Sequence, residues 1–139
     1  MIIHGDCLDE VKHLDSNSID MIYLDPPFFT QKVQSLKDIY GNEYSFKDIW
    51  HNRMEYLEYI KVRIFEFKRI LKDTGSIFLH CDEKASYYLR IILDDVFGEE
   101  NFRSEIIWTY KRWSNSKKGL LQDIKQYFFT QKQININLM

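Results

Sequence analysis

The sequence predicts an α/β fold in which short buried strands alternate with amphipathic helices in one domain. β-rich apolar runs occur at 19–24, 76–80 and 104–110, and stretches with apolar residues at helical spacing separate them. The chain has 139 residues, of which 45% are hydrophobic, so it is long enough to bury one core. This alternation favours a largely parallel sheet with ligands bound outside the carboxyl ends of the strands.

The first half of the chain begins with a predicted short strand at 2–3, followed by a helix over 8–14. The apolar run 19–24 predicts a strand that stops at Asp25-Pro26-Pro27, because proline cannot donate to a sheet ladder. The stretch 29–52 is polar and irregular, so we expect a long functional loop there.

The second half contains the clearest helical pattern, with apolar residues three and four apart over 57–71. A buried strand is predicted at 76–80, a second helix over 89–96 that Gly98 closes, and a third strand at 104–110.

Composition excludes several classes of protein. With 19 basic and 21 acidic side chains the net charge is -2, so any contact with nucleic acid must be local. Cys7 and Cys81 lie far apart, and the sequence contains no clustered metal-ligand pattern. No window approaches the roughly 18 apolar residues that a membrane span needs. We therefore expect a reduced, cytoplasmic, metal-free protein.

Asp25-Pro26-Pro27-Phe28 is the motif with the strongest chemical implication. Two consecutive prolines stiffen the backbone and remove two amide donors while keeping their carbonyl acceptors. An exocyclic amine such as adenine N6 offers two N–H donors, which the Asp25 carboxylate and the Pro26 carbonyl could accept. Phe28 offers a flat face for a base taken out of the DNA stack. Taken alone, four residues are explained equally well as a stiff turn.

The order of motifs resembles the β group of DNA amino-methyltransferases, in which the catalytic motif precedes the glycine-rich cofactor motif. The resemblance covers about the first 120 residues, and it is best at Ile3–Cys7, Ile19–Phe28, Leu71–Cys81 and Asn101–Trp108. It implies a partial Rossmann-like sheet of the S-adenosylmethionine-dependent methyltransferases, with flanking helices. The Asp-Pro-Pro-Phe form is similar to adenine-N6 rather than cytosine-N4 enzymes.

The resemblance also implies site residues. Asp25, Pro26, Pro27 and Phe28 would be catalytic, Asp6, Cys7 and Asp25 would bind S-adenosylmethionine, and no residue would bind a metal. Asp6 is equally suited to cap the helix that follows it, and the two roles are compatible. Cys7 alone is more typical of a small buried hydrophobic residue.

Two other segments receive weaker interpretations. His80-Cys81-Asp82 suggests a metal or thiol site, but at a strand end without a partner motif it is better explained as structural. The basic stretch 112–118 is explained about equally well as a phosphate contact or a solvated loop.

The family pattern breaks in the last part of the sequence. The five glycines, at positions 5, 41, 75, 98 and 119, form no glycine-rich cofactor loop. After Leu121 the expected strand pattern is also lost. In one back-translation, a single C restored after the Leu121 codon gives the family-like PRHQTIFFYSKTNKYKFN. We therefore expect residues 1–121 to be the N-terminal part of a methyltransferase catalytic domain and 122–139 to be an out-of-frame tail.

The sequence thus predicts a truncated DNA adenine-N6 methyltransferase of a restriction-modification system. The expected partners are double-stranded DNA with a flipped adenine and a second polypeptide that supplies the C-terminal half. The alternatives are an inert remnant or interaction module of the same fold, and an amine methyltransferase acting on cytosine N4, RNA or protein.

Overall fold

The structure is a computed structural model that describes residues 2–109 and 124–132. A 3-10 turn at Val11–His13 follows the first helix, and another at Glu99–Asn101 precedes the fifth strand. In chain order the elements are α1 (Cys7–Glu10), β1 (Ile19–Leu24), β2 (Lys32–Lys37), β3 (Glu43–Asp48), α2 (Arg53–Ile70), β4 (Leu71–Cys81), α3 (Glu83–Phe97), β5 (Phe102–Thr109) and β6 (Ile124–Gln131).

Four strands form the main sheet, in the order β1-β4-β6-β5. β1 runs parallel to β4, with Leu24 opposite Leu79, whereas β6 is antiparallel to both β4 and β5. The α/β class with flanking helices is confirmed. The prediction of a largely parallel sheet was wrong, because β6 lies between β4 and β5 and runs antiparallel to both.

The core lies between one face of this sheet and the helices α2 and α3. Every third or fourth residue of α2 is buried, in agreement with the predicted stripe. Asn52 caps the helix by accepting from the Glu55 amide at 2.9 Å, and Glu55 accepts in return from the His51 amide at 2.7 Å. The buried apolar residues of the two helices and the sheet include Tyr56, Ile60, Ile64, Phe67, Ile77, Leu79, Leu89, Leu93 and Phe128.

The predicted element boundaries hold at some positions and fail at others. α3 ends at Gly98, as predicted, and Gly98 has the positive φ of 96° that favours glycine. Leu71, predicted to be helical, is instead the first residue of β4, so α2 passes into the strand with no loop between them. Ile2 and Ile3 form no strand and are exposed, since no neighbouring strand among the described residues pairs with them.

The stretch 29–52 is an antiparallel hairpin rather than the long loop predicted. β2 and β3 pair in register from Lys32 opposite Asp48 to Lys37 opposite Glu43. The turn between them contains Gly41 at φ 85°. Most side chains on both faces of the hairpin are exposed, so the alternation of apolar and polar residues that reveals a half-buried strand is absent.

Part of the predicted tail 122–139 contributes to the sheet. Residues 124–132 are described, and Phe128 of β6 is buried against the core. Phe129 stacks on Phe78 of β4 with ring centroids 4.6 Å apart. The out-of-frame origin of this segment stays a prediction. The basic stretch 112–118 lies outside the described residues.

No helix in the part of the chain that the structure describes is long and apolar enough to cross a membrane. The cytoplasmic location stays a prediction.

Candidate active site

The Asp25-Pro26-Pro27-Phe28 turn begins directly after β1, at the carboxyl end of the parallel β1–β4 pair. His80, one residue beyond the β1 partner Leu79 on β4, has its Nδ1 2.7 Å from Asp25 Oδ1. The His80 side chain is 5% exposed, whereas that of Asp25 is 59% exposed. The Phe28 ring meets the His80 ring edge-on, with centroids 4.9 Å apart. A buried imidazole therefore positions an accessible carboxylate.

The backbone of the turn is held by the start of α2. The Tyr56 hydroxyl donates to the Pro27 carbonyl at 2.9 Å. Burial raises the pKa of Tyr56, so this hydroxyl stays protonated and remains a donor at physiological pH. Among the described residues no group donates to the Pro26 carbonyl, which leaves that oxygen available as an acceptor beside Asp25.

One side of the turn borders a cavity of about 240 Å³, called here the inner cavity. Asp25, Pro26 and Pro27 form one wall, and α2 forms most of the opposite wall. The α2 residues that line it are Tyr59, Ile60, Arg63, Ile64 and Phe67, and Cys7 lines it from α1.

Arg63 and Asp6 form an ion pair next to the inner cavity. Arg63 Nη2 lies 2.9 and 2.7 Å from the two carboxylate oxygens of Asp6. The guanidinium also lies 3.4 Å from the centroid of the Tyr59 ring. Asp6 in turn caps α1 by accepting from the Leu8 amide at 2.8 Å. That hydrogen bond and the Arg63 guanidinium lower the pKa of Asp6, so its carboxylate stays charged at neutral pH.

The other side of the turn borders a second cavity of about 510 Å³, called here the outer cavity. The β2–β3 hairpin forms its far wall. Its lining residues are Asp25, Pro26, Pro27, Phe28, Thr30, Gln34, Phe46 and Asp48. Asp25 and both prolines therefore border the two cavities at once.

Asp48, at the end of β3, ties the hairpin to the turn. Its carboxylate accepts from the Phe29 and Thr30 amides at 3.2 and 2.7 Å, from the Thr30 hydroxyl at 2.6 Å and from Trp50 Nε1 at 2.8 Å. The residue is 1% exposed. Burial by itself raises the pKa of Asp48, but the hydrogen bonds from Thr30 and Trp50 outweigh it, and the net pKa is lowered. The hairpin is therefore fixed to the turn by a buried, ionised carboxylate.

The structure brings some of the predicted site residues together and modifies the interpretation of others. Asp25, Pro26 and Pro27 form the wall between the cavities, and Phe28 faces the outer one. Asp6 caps its helix as predicted and contacts the inner cavity only through Arg63. Cys7 lines the inner cavity and is exposed, so the alternative that it is a buried hydrophobic residue was wrong.

Sequence reasoning missed four residues of the site, namely His80, Arg63, Tyr56 and Asp48. His80 received no chemical role, yet it contacts Asp25. The structural interpretation of its two neighbours is confirmed. Cys81 is buried in the core, where burial raises the pKa of its thiol to about 12, and Asp82 caps α3. Across the ranges 2–109 and 124–132, no group of three or more His, Cys, Asp or Glu side chains is arranged to hold a metal.

Two solved structures share this fold at low sequence identity. PvuII DNA methyltransferase, which is cytosine-N4-specific, aligns with a TM-score of 0.65 at 20% identity, over 93% of this chain and 48% of that one. The M1.HpyAVI–SAM complex aligns with a TM-score of 0.58 at 16% identity, over 96% of this chain and 55% of that one.

Curated relatives are modification enzymes. The Mod subunit of the type III restriction-modification enzyme StyLTI from Salmonella typhimurium is 29% identical over 133 residues, covering 81% of this chain and 20% of that protein. The type II methyltransferase M.KpnI from Klebsiella pneumoniae is 35% identical over 126 residues, covering 88% of this chain and 30% of that protein. The chain thus spans less than a third of these relatives. The family model for DNA methylases of the N6/N4 type matches residues 19–136. The chain therefore belongs to the N6/N4 DNA methylase family.

Proposed function

We propose that this chain is part of a restriction-modification DNA adenine-N6 methyltransferase that uses S-adenosylmethionine. The observation that carries the proposal is the rigid Asp25-Pro26-Pro27 wall, which borders the inner and the outer cavity at once. Methyl transfer needs a donor and an acceptor that are held in line at close distance. Residues that line both cavities can contact both bound molecules and hold them in this way.

In the outer cavity, the Asp25 carboxylate and the Pro26 carbonyl would each accept one N–H of the target amine. Drawing both hydrogens toward acceptors favours a nitrogen whose lone pair points to the inner cavity. Phe28 and Phe46 line the outer cavity and offer aromatic faces to the base. His80 would keep Asp25 oriented through its 2.7 Å contact. Positioning, rather than a side-chain nucleophile, would supply the catalysis.

The residues of the inner cavity fit S-adenosylmethionine. Its apolar walls end at the exposed carboxylate of Asp25, which suits the amino group of a cationic ligand. Arg63 also lines the inner cavity, and its buried Nε has no hydrogen-bond partner among the described residues. This N–H is therefore available to donate to a ligand. Asp25, Cys7 and the Asp6–Arg63 pair would hold the cofactor. When bound, S-adenosylmethionine supplies an electrophilic methyl group.

We further propose that a second polypeptide completes the site. At about 240 Å³ the inner cavity is smaller than the roughly 300–1,000 Å³ usual for ligand sites. Within the described ranges, β1 is an edge strand of the main sheet and leads directly into the Asp25 turn, so a further strand could be added there. The two relatives described above are about three and five times longer than this chain.

The test is methyl transfer to unmethylated duplex DNA, with the nucleosides identified afterwards by mass spectrometry. The chain is assayed alone and with the polypeptide encoded directly downstream. We expect N6-methyldeoxyadenosine, and we expect Asp25→Ala to abolish it. Asp20→Ala is the matched control, since Asp20 lies on β1 but pairs with Lys72 at the surface.

The products separate the alternatives. N4-methyldeoxycytidine would keep the family assignment and make cytosine the substrate, as in the structurally similar PvuII enzyme. Calorimetric titration with S-adenosylmethionine tests the cofactor separately. No transfer under either condition, with no heat of cofactor binding, would refute the proposal in favour of an inert remnant.

A further inference from the structure

Three side chains that line the outer cavity, those of Asp48, Thr30 and Gln34, form a hydrogen-bond relay that ends at Gln34. The Thr30 hydroxyl donates to Asp48 Oδ2 at 2.6 Å, and Gln34 Nε2 donates to Thr30 Oγ1 at 2.9 Å. Gln34 lies opposite Phe46 on the β2–β3 hairpin, and both side chains line the outer cavity.

The direction of this relay is fixed by its buried end. Asp48 is ionised at neutral pH, because its hydrogen bonds lower its pKa despite burial, and a carboxylate can only accept. The hydroxyl hydrogen of Thr30 is therefore committed to Asp48, and Thr30 Oγ1 can only accept from its other neighbour. If the Gln34 amide were flipped, its Oε1 would face Thr30 Oγ1, and neither oxygen would have a hydrogen to donate to the other. The amide orientation is thus determined by the hydrogen-bond network.

The relay uses one of the two N–H groups of Gln34. Among the described residues, no hydrogen bond uses the second N–H of Nε2 or the Oε1 acceptor. The Gln34 amide, with its orientation fixed and one N–H still available to donate, therefore lines the same cavity as Asp25 and Pro26.

We propose that Gln34 is a specificity-determining residue that donates its second N–H to the ring nitrogen beside the exocyclic amine of the target base. This inference rests on the proposed function, in which Asp25 and the Pro26 carbonyl accept the two amine hydrogens. The three groups together complement a Watson–Crick edge in which an amino group lies beside an unprotonated ring nitrogen, and adenine and cytosine share that edge. Guanine, thymine and hypoxanthine instead carry a carbonyl beside a protonated ring nitrogen, so a ring N–H would face the Gln34 N–H.

The experiment compares binding of two trinucleotides, d(TAT) and d(TZT), where Z is 1-deazaadenine, to the full 15N-labelled chain. 1-Deazaadenine keeps the amine that Asp25 and the Pro26 carbonyl would bind and replaces only the ring nitrogen N1 by C–H, so the comparison isolates the hydrogen bond of Gln34. NMR titration gives each affinity, and the side-chain amide signals of Gln34 report whether the centre base occupies the outer cavity. We expect d(TAT) to bind at least about tenfold more tightly, the usual size of one hydrogen-bond mismatch. The Gln34 amide signals should shift with d(TAT).

Variants test the relay itself. Thr30→Val removes the hydroxyl and frees the amide to flip, so the tenfold preference should disappear, whereas Thr30→Ser should retain it. Gln34→Glu replaces the donor by an acceptor that would face the lone pair of N1, so it should reverse the preference toward d(TZT), without disturbing any core residue. Ser35→Ala changes an exposed position whose side chain points to the opposite face of β2, and it should leave the preference unchanged.

Several outcomes would overturn the inference: equal affinity for the two trinucleotides, no binding of either, or a preference that survives both Thr30→Val and Gln34→Glu. Asp25-dependent methyl transfer in the absence of any such preference would remove the role of Gln34 and leave the proposed function standing. A Gln34-dependent preference without methyl transfer would support the role of Gln34 in base binding and contradict the proposed function.

Discussion

The two cavities beside Asp25 are built in different ways. The inner cavity is lined by α2 residues that are themselves part of the core, among them Ile60, Ile64 and Phe67, so its shape depends on the whole fold. The outer cavity is closed by a hairpin whose side chains are mostly exposed and which is tied to the turn through Asp48. The inner cavity, where we propose that the cofactor binds, is therefore formed by the packing of the core. The outer cavity, where we propose that the base binds, depends on a few hydrogen bonds.

Removing the Asp48 carboxylate should produce the largest effect. Asp48→Ala leaves the donors of Phe29, Thr30 and Trp50 without their buried acceptor, and unsatisfied buried donors cost about 1–3 kcal/mol each before relaxation. We expect the free energy of unfolding in urea to fall by about 3 kcal/mol. We also expect d(TAT) binding to be lost while the heat of cofactor binding persists. A loss of both activities would show that the cavities are not independent.

The same carboxylate predicts a pH dependence. The pKa of Asp48 is lower in the folded chain than in the unfolded chain, so its stabilising contribution is present above the unfolded value of about 4. That contribution is lost as the pH falls through the lower folded value. Asp48→Asn should flatten the acid limb of a plot of unfolding free energy against pH. An unchanged acid limb would contradict the assignment.

Arg63→Met tests the inner cavity. The change removes the ion pair with Asp6 and the contact with the Tyr59 ring, and Asp6 can regain water because its side chain is about half exposed. We expect a loss of about 2 kcal/mol in unfolding free energy, below the cost of breaking a fully buried pair. Cofactor affinity should fall and d(TAT) affinity should not. Lys61→Met is the matched control, since it removes a cation of the same helix from a surface ion pair with Asp95.

Two variants of His80 distinguish its role in positioning Asp25 from its contribution to the stability of the fold. His80→Asn keeps a donor near the place of Nδ1, so we expect about 1 kcal/mol of destabilisation and most of the methyl-transfer rate. His80→Ala should lower that rate about tenfold at saturating substrate, because Asp25 loses its orienting partner. Equal rates for the two variants would indicate that His80 only fills space.

Phe46→Ala should have the smallest effect on folding. Phe46 is 56% exposed, so the free energy of unfolding should change by less than about 0.5 kcal/mol. Its loss should nevertheless weaken d(TAT) binding by about tenfold, within the range for one stacked base. Tyr40→Ala, at the exposed tip of the hairpin, is the control.

The sequence was informative where periodicity or a rigid motif carried the signal. The stripe of α2 and the position of Asp25 at a strand end both follow from local patterns. The hairpin was not predictable from alternation, because neither of its faces is buried. Arg63 and His80 reach partners 57 and 55 residues away, and no spacing rule connects such positions.

The pairing of β4 with β1 makes the site sensitive to chain length over a short segment. Between Leu71 and Ser76 the register of the two strands shifts, whereas from Ser76 to Leu79 they pair residue for residue, up to the neighbour of His80. One residue inserted in that regular segment would exchange the faces of the residues after it and turn His80 away from Asp25. The contact between His80 and Asp25 therefore depends on a residue count as much as on residue identities.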